Sequence, residues 1–150
     1  MIEHTIVGYE PFFDVRLLVF PEFAHAAPVY DSVQKLRDNL AVTIPNEHTG
    51  KYESIAKQYG CFIQTGTFIE IDDHYPDALF NTTLLIGPDG ILSKYRKVNP
   101  WIPWEIHASP HDFKEYKEEP FPVVDTELGK LGVAICYDWL FPETIRHGVT

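Results

Sequence analysis

Residues 80–98, FNTTLLIGPDGILSKYRKV, restrict what this chain can fold into more than any other stretch. Two runs rich in apolar and β-branched residues, Phe80–Ile86 and Ile91–Val98, flank Gly87-Pro88-Asp89-Gly90, whose residues are those that close a tight turn. An antiparallel hairpin is therefore predicted at the middle of the chain, and it needs partners on its edges and faces. Val15–Phe20 (VRLLVF) reads as a strand stopped by Pro21, and its nearly unbroken apolar character suits burial on both faces. His48–Tyr59 reads as a helix ending at Gly60, with Tyr52, Ile55, Ala56 and Tyr59 on one face. Cys61–Ile71 alternates and is β-branched, which predicts the next strand. Phe121–Asp125 and Leu131–Cys136 read as two more strands joined by a turn at 127–130, and Pro142 opens a helix. Strands interleaved with helices around a hairpin predict a mixed α/β layered fold.

The two ends fit this scheme less well. The opening residues show no clear strand and helix to cover Val15–Phe20, and the sequence stops about one turn into its last helix. Residues 1–150 are therefore read as one partial domain, with an N-terminal strand and helix and a C-terminal part lying elsewhere. A chain of 150 residues with 45% hydrophobic residues can bury one core. Twelve basic against 22 acidic residues give a net charge of −10, the wrong sign for a phosphate-backbone binder. No stretch reaches the ~18–20 apolar residues of a spanning helix, and no signal peptide is evident, so a soluble, cytoplasmic protein is expected. Cys61 and Cys136 form neither a disulfide framework nor a CxxC metal pattern.

Four polar residues fall where strands meet loops: Glu22 after the first strand, Lys97 at the end of the hairpin, Glu105 in the irregular stretch 99–120, and Cys136 at the end of the last strand. Layered α/β folds gather sites at such strand ends. A thiolate is a strong nucleophile whose pKa a nearby ammonium lowers. A carboxylate can take its proton and later activate water. A lysine together with the Tyr137 N–H can hold an oxyanion. Spacing alone also allows a cysteine–histidine site using any of the seven histidines, or a structural role for each residue. Cys61 reads as a core residue, and Glu143 with Arg146 as a surface pair. Pro110 between His107 and His111 argues against a helical metal pair. No GxGxxG, P-loop or GxSxG pattern is present.

Three ordered blocks carry a resemblance. LLVFPE (17–22) is similar to the glutamate block of the nitrilase superfamily, the carbon–nitrogen hydrolases. KYRKVNPW (94–101) resembles its lysine block, and GVAICYDWLFPE (132–143) its nucleophile block. The resemblance implies an α-β-β-α sandwich longer than this chain. It implies a hydrolase that cleaves a non-peptide carbon–nitrogen bond, with Cys136 as nucleophile, Glu22 as base and then acid, Lys97 and the Tyr137 N–H as oxyanion donors, and Glu105 as a second, positioning glutamate. Tyr137-Asp138 after the cysteine, and the pattern YRKxxPWxPxE (95–105), look like the amidase side of the family. An amide or carbamoyl substrate is thus expected, with nitrile hydrolysis by the same residues, or a catalytically silent module, as the alternatives. Trp101, Trp104 and Tyr116 either wall the acyl pocket or pack the long loop onto the sheet. The resemblance implies no cofactor or metal, a small-molecule substrate, and a homo-oligomer when full length.

Overall fold

The computed structural model describes residues 2–25, 27–101 and 103–147. In chain order its elements are α1 (Ile2–Tyr9), β1 (Leu17–Val19), α2 (Val33–Leu40), β2 (Ala41–Val42), α3 (Glu47–Tyr59), β3 (Phe62–Gln64), β4 (Phe68–Glu70), β5 (Phe80–Gly87), β6 (Gly90–Arg96), β7 (Val123–Thr126), β8 (Gly129–Gly132) and α4 (Pro142–His147). Short 3-10 helices lie at Pro110–Asp112 and Cys136–Leu140.

The predicted hairpin is the spine of the molecule. β5 and β6 pair antiparallel from Thr82↔Arg96 to Gly87↔Gly90, which leaves Pro88-Asp89 as a two-residue turn. Gly90 sits at φ +120°, a conformation that a side chain would oppose. β6 takes one edge of β5, while β3 and β4 share the other edge end to end, at Ile63↔Ile86 and at Phe68↔Thr82. β1 and β2 then add in parallel to β3 and β4. The result is a mixed sheet of six strands, with β7–β8 as a separate hairpin.

One face of this sheet is closed by helices. Asn46 caps α3 in a reciprocal box with Thr49, and Gly60 ends it in the left-handed conformation at φ +62°. Tyr52, Ile55, Ala56 and Tyr59 pack with Cys61, Ile63, Leu84 and Ile86, the helix face read from the sequence. Burying each large aliphatic side chain here contributes about 2 kcal/mol. α2 starts at Ser32, whose hydroxyl accepts from the Lys35 N–H, and it buries Leu36 against Ile69 and Leu79. Leu17, Val19, Gln64 and Leu85 lie toward the segment 131–134 and Trp139. No helix among the described residues is long and apolar enough to cross a membrane.

Several expectations change. A helix does cover the first strand: Ile2 and Ile6 of α1, one turn apart, pack with Val15, Leu18 and Phe20. Eight residues give too few turns for a helical period to stand out. β1 is not covered on both faces, since Val19 is 68% exposed at the sheet edge. The run Cys61–Ile71 is two strands broken at Thr65-Gly66-Thr67, because another segment lies across it. β8 ends at Gly132, and Cys136 begins a 3-10 helix rather than ending a strand. α2 and β2 lie in a stretch that the sequence reading left unassigned.

Candidate active site

The break between β3 and β4 is what places Glu22. Pro21 stops β1, and the following turn lies against Gly66, where a Cβ would come within 2.5 Å of the Ala24 Cβ and 3.0 Å of the Pro21 carbonyl. Only glycine allows so close an approach. The flanking threonines replace the missing ladder bonds: Thr67 Oγ1 accepts from the Phe23 N–H at 3.0 Å, and Thr65 Oγ1 from the Leu84 N–H at 3.0 Å. Phe23 adopts φ +57°, a costly conformation for an aromatic residue, as the chain turns. From this turn Glu22 reaches Asn81 of β5, whose Nδ2 donates to Oε1 at 2.7 Å.

Lys97 follows β6 and keeps its register, its N–H donating to the Asn81 carbonyl at 2.9 Å. The side chain is completely buried. Its ammonium donates to Glu22 Oε1 at 2.8 Å and to both Glu105 oxygens at 2.7 and 3.0 Å. Burial disfavours that charge, but the bonds to Glu105 and Glu22 outweigh it and hold the lysine pKa above its ordinary value. Glu105 also accepts from the Trp101 N–H. His107, buried beside it, has its Nε2 3.6 Å from Glu105 Oε2. Burial and the neighbouring Lys97 charge push this histidine down to about 4, so the ring is neutral at pH 7.

Cys136 is exposed and adopts φ +46°, a strained turn that lifts a side chain out of its backbone run. Asp138 holds that turn. Its buried carboxylate accepts from the Tyr95 hydroxyl at 2.8 Å, the Ile135 N–H at 2.9 Å and the Asn99 N–H at 2.8 Å. The cysteine segment is thereby tied to the end of β6 and to the residue two past Lys97. A lowered thiol pKa was expected from Lys97, and the site produces the opposite. Burial raises it, the charge and hydrogen bond of Glu22 raise it further, and Lys97 opposes them. Two carboxylates surround one ammonium, so a thiolate would be the third negative charge. At rest the group is a thiol beside a carboxylate able to accept its proton.

The four expected polar residues therefore converge. Tyr137 follows in the 3-10 helix, its ring edge-on to Phe141. Trp101 and Trp104 are partly exposed and meet edge to face, with Trp104 leaning on Phe23 next to Glu22. Tyr116 goes elsewhere, stacking on Tyr75 near Arg96. Cys61 is fully buried, and Glu143 and Arg146 form an exposed pair at 3.7 Å. Sequence reasoning did not single out Asn81, Asp138 or His107 as partners of the site. The first two carry a weak signal, a polar residue inside an apolar strand and an acid two positions after the cysteine. His107 carried none beyond lying two residues from Glu105.

With the geometry in view, comparison with known proteins is informative. The family described as Carbon-nitrogen hydrolase matches residues 6–148. A nitrilase from Pyrococcus abyssi is 31% identical over 132 residues, covering 87% of this chain and 46% of the relative. A formamidase from Bacillus thuringiensis is 31% identical over 153 aligned positions, covering 97% of this chain and 40% of the relative. The crystal structure of a Saccharomyces cerevisiae member of branch 10 of the nitrilase superfamily superposes with a TM-score of 0.72 at 26% identity, over 98% of this chain and 52% of that one. The chain thus spans less than half the length of these two curated relatives.

Proposed function

The chain belongs to the carbon–nitrogen hydrolase family, and from that premise we propose that it forms part of a thiol hydrolase domain acting on a small amide or carbamoyl compound. One observation carries this reading: the exposed Cys136 thiol lies within the electrostatic reach of Glu22, and Glu22 shares the buried Lys97 ammonium with Glu105.

The thiol proton passes to Glu22 as sulfur attacks the substrate carbonyl carbon, forming the C–S bond and a tetrahedral oxyanion. Lys97 and the Tyr137 N–H stabilise that anion. Collapse breaks the C–N bond, and Glu22 returns its proton to the departing nitrogen, leaving a thioester and ammonia or an amine. Water then gives its proton to Glu22 and its oxygen to the thioester carbon. The acid leaves, and Cys136 recovers its proton from Glu22. The raised thiol pKa fits a role in which the base acts during attack rather than before it. Glu105 holds Lys97 between the two carboxylates and fixes where its ammonium stands. In the full-length protein this domain works as a homo-oligomer on small molecules.

The Tyr137-Asp138 pair and the formamidase relatives favour amides over nitriles. Ammonia release from formamide and propanamide by the protein that contains this chain tests the reading. Cys136→Ala is expected to reduce it by more than about 1,000-fold with an unchanged urea midpoint. Undiminished turnover in that variant rejects the proposal, and turnover confined to nitriles rejects the substrate assignment.

A further inference from the structure

Asn81 is a buried polar residue whose place in the sheet packing alone does not explain. It lies in β5, every residue of which is buried, and is itself fully buried opposite Ile69 of β4. Its neighbours Phe80 and Thr82 face the Arg96 cluster, so strand alternation turns Asn81 to the other face, toward Glu22. Its Nδ2 bonds to Glu22, but its Oδ1 has no hydrogen-bond partner among the described residues. A buried carbonyl left unmet lowers stability. Turning the amide over gives no relief, because Oδ1 would then face a carboxylate, which can only accept. A leucine of similar size would fill the space without that cost.

The bond that Asn81 does make falls on one particular oxygen. Nδ2 donates to Glu22 Oε1 at 2.7 Å, and the Lys97 ammonium donates to the same Oε1 at 2.8 Å. Among the described residues no N–H donates to Oε2. Glu105 differs: its two oxygens lie 2.7 and 3.0 Å from that ammonium, and it also accepts from the Trp101 N–H. An oxygen that already holds two donors is the poorer proton acceptor of its pair, since both donors draw on its charge. Asn81 sets Lys97 as well, because its backbone carbonyl accepts the Lys97 N–H at 2.9 Å.

We propose that Asn81 is a positioning residue of the hydrolase. With Lys97 it occupies Glu22 Oε1, fixes the rotation of the carboxylate, and leaves Oε2 as the oxygen that carries the proton. This rests on the amide-hydrolase reading above. The proton moves from Sγ to Oε2 as the C–S bond forms, and from Oε2 to the departing nitrogen as the C–N bond breaks. Oε1 keeps both donors throughout. Lys97 alone would hold the carboxylate at one point about which it could turn, and the second donor removes that freedom.

Asn81→Leu keeps the volume and removes both the donor and the unmet carbonyl. In the protein that contains this chain, kcat for propanamide is expected to fall by about 10- to 100-fold, as for a reacting group displaced by up to ~1 Å. KM should stay within about twofold, because the buried amide acts through Glu22 rather than on the substrate. The urea midpoint should change little, since the bond lost at Glu22 is offset by the unmet carbonyl removed. A carboxylate relieved of a donor is also a stronger base, which alone would speed proton removal about threefold, so a net fall measures placement. A merely structural asparagine gives the reverse pattern, a lower midpoint with kcat per folded molecule retained. That pattern overturns the proposal and leaves the hydrolase reading intact. If Asn81→Leu does not fold, Asn81→Ala, too small to clash, decides by kcat in its folded fraction. If the parent hydrolyses no amide, iodoacetamide alkylation of Cys136 at pH 7 decides. A rate at least about threefold slower in Asn81→Leu supports the proposal, because the base is misplaced, and an equal or faster rate overturns it.

Discussion

Arg96 and Lys97 are neighbours in the sequence, both fully buried and both held by carboxylates, three for Arg96 and two for Lys97, yet they build unlike regions. Arg96 is paired with Thr82 across the hairpin and shares a face with it. There Glu70 accepts two of its N–H bonds at 2.7 and 2.8 Å and Asp72 another, while Phe80, Tyr75 and Tyr116 surround the guanidinium. Lys97 turns toward the other face, to Glu22 and Glu105, beside an exposed thiol. Successive residues of a strand alternate faces, so one step in sequence separates a sealed structural cluster from an open chemical one. The difference lies in what completes each group. Arg96 is enclosed by aromatic rings and carboxylates. Lys97 shares its carboxylates with a nucleophile and a neutral histidine whose Nε2 has no hydrogen-bond partner among the described residues.

If the first cluster is structural, Arg96→Met leaves the buried Glu70 with only Lys94 and Thr82 and the half-buried Asp72 with only His74, and should cost about 3 kcal/mol of stability. Urea denaturation measures that loss, and Cys136 alkylation in the remaining folded fraction should be unchanged. A large change in Cys136 reactivity at constant stability would erase the distinction between the two regions.

Acid should separate the regions in time as well as space. His107 is held down to about 4 from an ordinary value near 6.5, so the unfolded chain binds its proton first. Its contribution is complete above pH 6.5 and lost as pH falls toward 4, amounting to about 3 kcal/mol by the usual conversion. For Glu70, burial opposes the charge, but Arg96 prevails and holds the carboxyl below its ordinary value. Asp72 is shifted the same way, also against burial and chiefly by Arg96. Their contribution is present above the ordinary carboxylate range and is lost only below it. Stability should therefore decline in two stages on acidification, the first belonging to the open cluster. His107→Gln should flatten the stability profile between pH 4 and 6.5 and leave the lower stage in place. A first stage that persists in this variant assigns it to another group.

The smallest expected effect tests the joint between the regions. Asp138→Asn keeps the shape but weakens the bonds to Tyr95, Ile135 and Asn99, at about 1–2 kcal/mol. Because it loosens the turn at φ +46°, turnover should fall by about 100-fold, more than that stability loss alone explains. Equal turnover would mean that the cysteine turn holds itself.

The hairpin, the capped helix α3 with its buried face, and the core position of Cys61 were legible because each rests on local chemistry. Turn residues, a left-handed glycine and a helical period act within a few positions. Glu22, Lys97, Glu105 and Cys136 could be named from their residue types at strand ends and from the three blocks around them. Other features rest on contacts between distant segments. Gly66 splits a strand because the Pro21–Ala24 turn needs its space, and nothing in CFIQTGTFIEI announces that turn. Cys136 lies beyond the end of its strand, in a turn that the Asp138 carboxylate holds by accepting the Ile135 N–H. The thiol pKa rises instead of falling because burial, and then the Glu22 carboxylate, outweigh the Lys97 charge. The sequence by itself determined which residues could react. The tertiary structure decided their charge balance, because electrostatic energy depends on distance through space and on burial, neither of which is written in residue order.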